Sequence, residues 1–190
     1  MKRNRFGQAE PITEELYKKL RAKFRTELHQ VLFDIAYYTG ERWGAILQLK
    51  VEDIYKDAVK RILRDEITFR AETRKDKSTR QVPIHPELRM RLRAYQPDSS
   101  GWLFPSGILY EGHLTMRAAD GAFRRALKRA GLEDMGFSTH STRRGFITQL
   151  HNKGIAVRVI QKLTGHRSLN TLSRYIEVSD EQCRSAIAAL

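Results

Sequence analysis

The chain has little cysteine, no long apolar run and no internal repeat, and each absence removes a class of protein. Its 190 residues contain one cysteine, Cys183, which excludes an internal disulfide and argues against a structural zinc site. No run of about 18 apolar residues and no charged-then-apolar leader occurs, so a cytoplasmic protein without a membrane span is expected. No cluster of Asp and Glu has hard-ion spacing, so no metal site is expected.

Positive charge is what the chain has in abundance. Lys and Arg number 35 against 22 Asp and Glu, which gives a net charge of +13 and an isoelectric point near 10.1. Such a balance predicts a polyanionic partner, with double-stranded DNA as the first candidate and an anionic membrane surface as its rival. The length suits one ordinary domain with a real core.

A predicted helix carries the pair His140 and Arg143 at the edge of an apolar stripe. Counted from Arg143, the residues Phe146, Ile147 and Leu150 follow at i+3, i+4 and i+7. A guanidinium in line with a buried face is costly unless an anion or polar group meets it. The pair therefore suggests an anion clamp beside a proton-transfer group, with a phosphodiester as the natural anion. A structural histidine and a surface arginine are the alternative that the pair alone leaves open.

Hydrophobic periodicity predicts a mainly α-helical α+β domain with a small antiparallel hairpin at one edge. Helices are predicted over about residues 13–25, 27–38, 86–95, 114–130, 140–153 and 157–163, from about 168, and over 181–190. Strands are predicted over 67–69 and 81–84, and the basic segment 74–80 between them reads as the hairpin tip, or as a solvated loop. The segment 59–63 fits either strand or loop.

Basic residues in the hairpin and along the helix over 114–130 are the expected contacts to a phosphate backbone. The candidate DNA-binding residues are Lys77, Arg80, Arg117, Arg124, Arg125, Lys128 and Arg144.

Four motifs together resemble the catalytic domain of the tyrosine recombinase (phage integrase) family, over about residues 12–180. They are Thr39-Gly40-Glu41-Arg42 followed by Leu49 and Asp53, Lys75 ahead of Val82-Pro83-Ile84, His140-Ser141-Thr142-Arg143, and Gly165-His166 ahead of Tyr175. Each stands in the family's order and at the family's spacing. The sequence departs from the family at two positions that buttress the site, with Ala45 where an acid is usual and Thr142 where an apolar residue is usual.

The resemblance implies that Tyr175 is the nucleophile. A tyrosine can conserve the energy of a phosphodiester as a phosphotyrosyl ester, which allows reversible cutting. Because the reference pKa of tyrosine is about 10, a proton acceptor is needed at neutral pH, and His140 is the expected one.

The remaining motif residues are implied to act on the phosphate. Arg42 and Arg143 are expected to hold its two non-bridging oxygens in the transition state, and His166 to donate a hydrogen bond to it. Lys75 is expected to protonate the leaving 5′ oxygen, with Lys77 as the alternative acid in the same hairpin. The two guanidiniums do what a cation would do, so no metal and no cofactor is expected.

The expected function is that of a site-specific DNA recombinase or integrase that works through a 3′-phosphotyrosyl intermediate. A type IB topoisomerase, which rejoins the same strand, and a non-catalytic DNA-binding module are the alternatives. Residues 1–11 are expected to form a basic arm or linker end, 12–180 the catalytic domain and 181–190 a C-terminal helix.

The family resemblance also implies that the protein is a monomer when free and a tetramer on two DNA duplexes. It implies a cytoplasmic location at the nucleoid. The sequence leaves open whether the chain is a fragment or a one-domain variant, and whether its tail packs in cis or in trans. It also leaves open the target site and the biological task.

Overall fold

Helices form most of the regular structure. The structure, a computed structural model, describes residues 9–74, 77–107, 112–173, 175 and 180–188. The helices in these residues are α1 (Glu14–Arg21), α2 (Glu27–Thr39), α3 (Trp43–Ile46), α4 (Pro86–Ala94), α5 (Met116–Ala130), α6 (Ser141–Asn152), α7 (Val157–Thr164), α8 (Leu169–Ser173) and α9 (Asp180–Ala188). The predicted α+β, mainly helical class is confirmed.

Capping residues in the sequence set where helices begin and end. The hydroxyl oxygens of Thr26 and Thr115 accept hydrogen bonds from backbone N–H groups at the start of α2 and α5. Gly40 adopts φ 60° and ends α2, and Gly165 adopts φ 68° and ends α7. These stops are where the sequence predicts them, which places Arg42 and His166 just beyond a helix end.

The first helix is shorter than predicted. The expected extension to about residue 25 is wrong, because the chain turns after Arg21 and Phe24 leaves the helix to pack in the core. The Phe24 ring lies 5.1 Å from that of Phe33, centroid to centroid. Burying this aromatic ring outweighs the weak preference of the segment for more helix.

Two antiparallel strand pairs lie beside the helices. Strands β1 (Tyr55–Asp57) and β2 (Ile62–Leu63) form one pair, and β3 (Glu66–Phe69) and β4 (Arg80–Pro83) form the other. In the second pair Ile67 lies opposite Val82, so both bury their side chains on the same face. The predicted hairpin is confirmed, and the segment that fits strand or loop is a strand only at its last two residues.

The connection between β3 and β4 is more structured than a solvated tip. A short 3₁₀ turn covers Ala71–Thr73, and Arg74 after it is buried. Lys77, Ser78 and Thr79 are exposed. The predicted acid Lys75 lies outside the described residues.

The buried apolar residues form two groups of very different size. The main core joins α1 to α5 and both strand pairs, and includes the fully buried rings of Phe33, Phe69, Phe104 and Phe123. A small cluster lies between α6, α7 and α8. Its buried members are Ile147, Ile160 and Leu172, and Leu150, Leu169 and Tyr175 pack against them.

The segment before α1 packs on the helix that carries Arg143. Ile12 is fully buried, its N–H donates to the carbonyl of Ser141 at 3.2 Å, and its carbonyl accepts from Gln149 at 3.3 Å. A Cβ on Gly145 would lie 2.2 Å from the Ile12 carbonyl oxygen, so only glycine fits there. Residues 9–11 of the predicted arm thus lie next to the domain, and residues 1–8 fall outside the described part.

The predicted C-terminal helix is present as α9, and it exposes Ile187 to 71%. Across the described residues, no helix has the length and apolar character needed to cross a bilayer.

Candidate active site

Arg143 lies at the centre of the site. It is the third residue of α6, in the first turn of the helix, and only 3% of the residue is exposed. Its Nη1 donates to the carbonyl of Gly40 at 2.9 Å and its Nη2 to the carbonyl of Thr164 at 2.8 Å. The guanidinium therefore joins the end of α2 to the end of α7, and these two hydrogen bonds fix the orientation of its plane.

Arg143 stays charged despite its burial. Burial, and next the charge of Arg42, lower the pKa of Arg143 to about 10. Because this value lies well above neutral pH, the guanidinium remains a cation that can bind an anion.

His166 follows directly on the glycine that ends α7. Its ring is 7% exposed, and its Nε2 lies 3.2 Å from Nη2 of Arg143. Burial, followed by the charges of Arg143, Arg42 and Arg80, lowers the pKa of His166 to about 4. The imidazole is therefore neutral at pH 7.

The hydrogen bonds of Thr164 select a tautomer of His166. The Thr164 hydroxyl donates to the carbonyl of Ile160 at 2.7 Å and lies 2.7 Å from Nδ1 of His166. With the hydroxyl proton on Ile160, the Nδ1–H donates to Thr164 and Nε2 accepts from Arg143. The predicted donation from His166 to a phosphate needs the other tautomer, with its proton on Nε2.

Arg42 and His140 enter the same cleft from two helix starts. Arg42 is the half-buried residue just before α3, and its backbone N–H donates to Oε1 of Glu41 at 2.7 Å. His140 is the exposed residue just before α6. The cleft they share has a volume of about 260 Å³. It is lined by Glu41, Arg42, Trp43, Gly44, Ala45, Gln48, Thr73, Arg74, Met116, Thr139, His140 and Arg143.

Tyr175 lies beside His166, on the side of the small cluster. The two ring centroids are 5.7 Å apart, with the planes inclined at 48°. The ring is half-buried, and its backbone N–H donates to the carbonyl of Leu172 at 2.9 Å. The structure therefore brings five of the six predicted catalytic residues together: Arg42, His140, Arg143, His166 and Tyr175.

Sequence reasoning missed the acid of the site. Glu41 is 1% exposed, and its carboxylate contacts Arg74 and Arg80 and lies 3.9 Å from Arg143. The available signal was an acid directly before Arg42 in a strongly basic chain. A buried carboxylate needs cationic or donor partners, and the basic hairpin supplies two of them.

Arg80 differs from its expected position. It was predicted to contact DNA, but its guanidinium is buried against Glu41 and the carbonyl of Leu163, and it stacks on Phe69 at 5.6 Å. Alternation along β4 explains this, because Arg80 and Val82 share the inward face of the strand.

Ala45 and Thr142, the two departures from the family pattern, lie in the wall of the cleft and between two helices. Ala45 is buried in the cleft wall. The Thr142 hydroxyl accepts a hydrogen bond from Nε1 of Trp43 at 3.2 Å, which ties α6 to α3. A polar residue before Arg143 is thus satisfied inside the core.

The other predicted DNA-binding residues fall into two groups. Lys77, Arg117, Arg125 and Lys128 are exposed. Arg124 is half-buried and pairs with Asp120 at 2.9 Å, and Arg144 donates to the carbonyl of Ala9 at 3.1 Å. Within the part of the chain that the structure covers, no group of three or more His, Cys, Asp or Glu is arranged to hold a metal ion.

Comparisons with known proteins show the family of the chain. A model of the phage integrase family matches residues 10–182. A tyrosine recombinase of Pseudothermotoga lettingae is 27% identical over 184 residues, which cover 94% of this chain and 59% of that protein.

Two solved structures share the fold. The XerA recombinase matches with a TM-score of 0.74 at 22% identity, over 96% of this chain and 66% of that one. The XerH site-specific recombinase bound to its difH substrate matches with a TM-score of 0.71 at 20% identity, over 97% and 55%. The predicted fold is confirmed, and this chain spans between about half and two thirds of the length of these proteins.

Proposed function

The chain belongs to the phage integrase family, and we propose that it is the catalytic part of a site-specific DNA recombinase. In this proposal it cleaves one strand of double-stranded DNA to a 3′-phosphotyrosyl link and rejoins that link to a new 5′-hydroxyl. The observation that carries the proposal is the convergence of Arg42, His140 and Arg143 on one cleft, with His166 and Tyr175 adjoining Arg143.

The arginines supply the charge that the reaction needs. Arg143 is held at two points and remains a cation, so it can meet a non-bridging phosphate oxygen without rearranging. Arg42 faces the same cleft and takes the second oxygen. Preorganised cations of this kind stabilise the extra negative charge of a pentacovalent phosphorus transition state.

The bond changes balance with the residues present. The Tyr175 oxygen attacks phosphorus and its proton passes to His140, while the bond between phosphorus and the 5′ oxygen breaks. Lys75 gives a proton to the leaving 5′ oxygen. Rejoining is the reverse, with a new 5′-hydroxyl as the nucleophile and Tyr175 as the leaving group.

A neutral His166 suits the same step. Because its pKa is about 4, the ring adds no further charge beside Arg143 at pH 7. Donation to the phosphate requires the Thr164 hydroxyl to turn its proton from the Ile160 carbonyl to Nδ1 of His166. The ring then carries its proton on Nε2, which donates to the phosphate instead of accepting from Arg143.

The proposal extends to domains and assembly. Residues 12–180 form the catalytic domain, and four copies act on two duplexes at the nucleoid. The exposed face of α9, with Ile187 at 71%, fits a contact with a neighbouring copy.

Strand transfer to a second oligonucleotide tests the function. A nicked suicide duplex should yield a covalent adduct, and an added strand with a 5′-hydroxyl should convert that adduct into a recombinant strand. Relaxation of a supercoiled plasmid without transfer to the added strand would favour the topoisomerase instead. Binding without any adduct would leave only a DNA-binding module.

A further inference from the structure

Glu41 occupies an unusual place in this basic site. It stands between Gly40, whose carbonyl holds Arg143, and Arg42, and only 1% of it is exposed. Its own N–H donates to the hydroxyl of Thr39 at 3.2 Å. The carboxylate is therefore fixed inside the protein by the turn that presents both phosphate-binding arginines.

The two carboxylate oxygens divide their partners between two parts of the fold. Oε1 accepts the backbone N–H of Arg42 at 2.7 Å and lies 3.9 Å from Nη1 of Arg143. Oε2 accepts Nε of Arg74 at 3.1 Å and also Nη2 of Arg80. One oxygen thus contacts the two arginines proposed to bind phosphate, and the other contacts Arg74 before β4 and Arg80 at its start.

The arginines around Glu41 reach on to the end of α7. Nη1 of Arg80 donates to the carbonyl of Leu163, and Nη2 of Arg143 donates to the carbonyl of Thr164. The last carbonyls of a helix lack partners within the helix and carry its negative dipole end, so two guanidiniums stabilise them well. His166 follows two residues after Thr164, so this contact fixes where its ring lies.

Arg74 carries the same network into the loop before β4. Its Nη1 donates to the carbonyl and the hydroxyl of Ser78, at 2.5 and 3.1 Å. The Arg74 side chain therefore contacts Ser78, the residue directly after Lys77, one of the two candidate general acids.

The electrostatics make Glu41 indispensable to this geometry. Three guanidiniums surround one carboxylate in a buried site, where like charges repel strongly and unpaired charges are costly. With Glu41 neutral, the lowest-energy response is for the guanidiniums to separate and move toward water. That movement would release the turn at Arg42, the hold of Arg143 and the end of α7 together.

We propose that Glu41 is the positioning residue of this active site. Its buried carboxylate fixes the position of Arg42 through the backbone turn, and that of Arg143 through the cluster of arginines that it holds together. This inference rests on the proposed function, because it concerns the same cleavage step. Glu41 does not touch the phosphate in this proposal, and its effect passes through the arginines.

Substitution of Glu41 gives the test, with cleavage of a nicked suicide duplex at saturating DNA as the readout. Glu41→Gln keeps the shape and removes the charge, and Glu41→Asp keeps the charge and shortens the reach. Glu14→Gln is the matched control, since Glu14 pairs with Lys18 at 2.7 Å on the surface with its side chain 68% exposed. The rate constant and the final amount of adduct are measured separately for each variant, together with the dissociation constant for DNA.

A positioning role predicts a specific combination of results. Glu41→Gln should lower the rate constant by roughly ten- to a hundredfold, because misplaced charges lose transition-state contacts. DNA affinity and the final amount of adduct should stay close to those of the parent, Glu41→Asp should recover part of the rate, and Glu14→Gln should match the parent. Combined with Arg143→Lys, Glu41→Gln should add little further loss, because both act through the same guanidinium.

Other results would overturn the inference. If Glu41→Gln keeps the parent rate constant but gives less adduct, Glu41 contributes to stability alone. Full additivity with Arg143→Lys would lead to the same conclusion. If Glu41→Gln does not fold, Glu41→Asp decides: a parent rate constant refutes positioning, and a lowered one at full adduct yield supports it. A parent chain that forms no adduct on the duplex would refute the proposed function, and the inference with it, whereas a normal parent beside an unaffected Glu41→Gln refutes the inference alone.

Discussion

The main core and the small cluster support opposite halves of the candidate active site. Arg42 directly precedes α3, whose Trp43 and Ile46 belong to the main core. Tyr175 packs instead on the small cluster, in which Ile147, Ile160 and Leu172 are the buried members among the described residues. Since hydrophobic stabilisation scales with the apolar area buried, the half that carries Arg42 is the better supported one.

This difference shows why Arg143 and Arg80 matter beyond their charge. Their hydrogen bonds to the carbonyls of Thr164 and Leu163 attach the end of α7 to the main-core side. The position of Tyr175 and the small cluster therefore depends on these polar contacts as well as on the few apolar residues of the cluster. We expect local opening of α7 and α8 to cost less free energy than unfolding of the main core.

Among the substitutions expected to slow cleavage without abolishing it, the largest effect is expected at Lys75, the candidate general acid of the hairpin. Lys75→Ala should slow cleavage by roughly a hundred- to ten-thousandfold, because the leaving 5′ oxygen loses its proton donor. A duplex with sulfur in place of that oxygen should restore the rate, since a thiolate leaves without a proton. Lys77→Ala is the matched control and should show no such rescue.

Two outcomes would change this assignment. Sulfur rescue of Lys77→Ala would move the general acid to Lys77, which is exposed in the structure. Rescue of neither variant would give the proton transfer to His140 or to water.

Arg143→Lys tests the residue that joins the two halves. It should lower the cleavage rate by about a hundredfold, the loss of about 3 kcal/mol that one such contact typically supplies. The effect should approach that of Arg143→Ala, because an ammonium cannot span the carbonyls of Gly40 and Thr164 while it also meets a phosphate. Arg129→Lys is the control, as Arg129 donates to the Lys23 carbonyl away from the site. A Lys variant with the parent rate would make Arg143 a structural residue.

A pair of core substitutions sharpens the comparison itself. Leu32→Ala in the main core should lower the free energy of unfolding by about 2–5 kcal/mol and shift the whole melting transition. Ile160→Ala in the small cluster should speed hydrogen exchange in α7 and α8 and slow cleavage, with a smaller shift of that transition. Thermal melts and hydrogen exchange on both variants measure this. Equal shifts of the whole transition would mean that the two groups unfold as one unit.

The smallest expected effect is a pH dependence carried by His166. Its pKa is lowered from 6.5 to about 4 in the folded protein, so the unfolded chain binds more protons between these values. Stability from this group is present in full above pH 6.5 and is lost as the pH falls toward 4. Melting temperatures of His166→Asn should therefore fall less steeply across this window than those of the parent. Identical slopes would show that the folded His166 takes up its proton as the unfolded one does.

The sequence predicted the fold well because the boundaries of helices and strands depend on local signals. The caps at Thr26 and Thr115 and the stops at Gly40 and Gly165 are readable from residue type. The Glu41 network was not readable, because it joins residues 33 to 39 positions apart along the chain. The arginines Arg74 and Arg80 fell in the segment predicted as a basic hairpin tip, with the strand beginning only at residue 81, and a basic loop is usually solvated.

The position of Arg80 illustrates the same limit. Strand alternation puts it on the inward face with Val82, yet an arginine is inward only where a buried acid receives it. That acid is Glu41, and it became apparent only when the strand pair and the end of α2 were brought together in space.

Tyr175, which lies beside His166 on the small cluster, is proposed to attack a phosphate held by Arg42 and Arg143. Tyr175→Phe removes only the phenolic oxygen, so the variant should bind a nicked suicide duplex with the parent's affinity and form no denaturant-resistant adduct. The measurement compares adduct yield and DNA affinity for the parent and this variant on one duplex. An adduct that survives the substitution would assign the nucleophile to another residue and contradict the account.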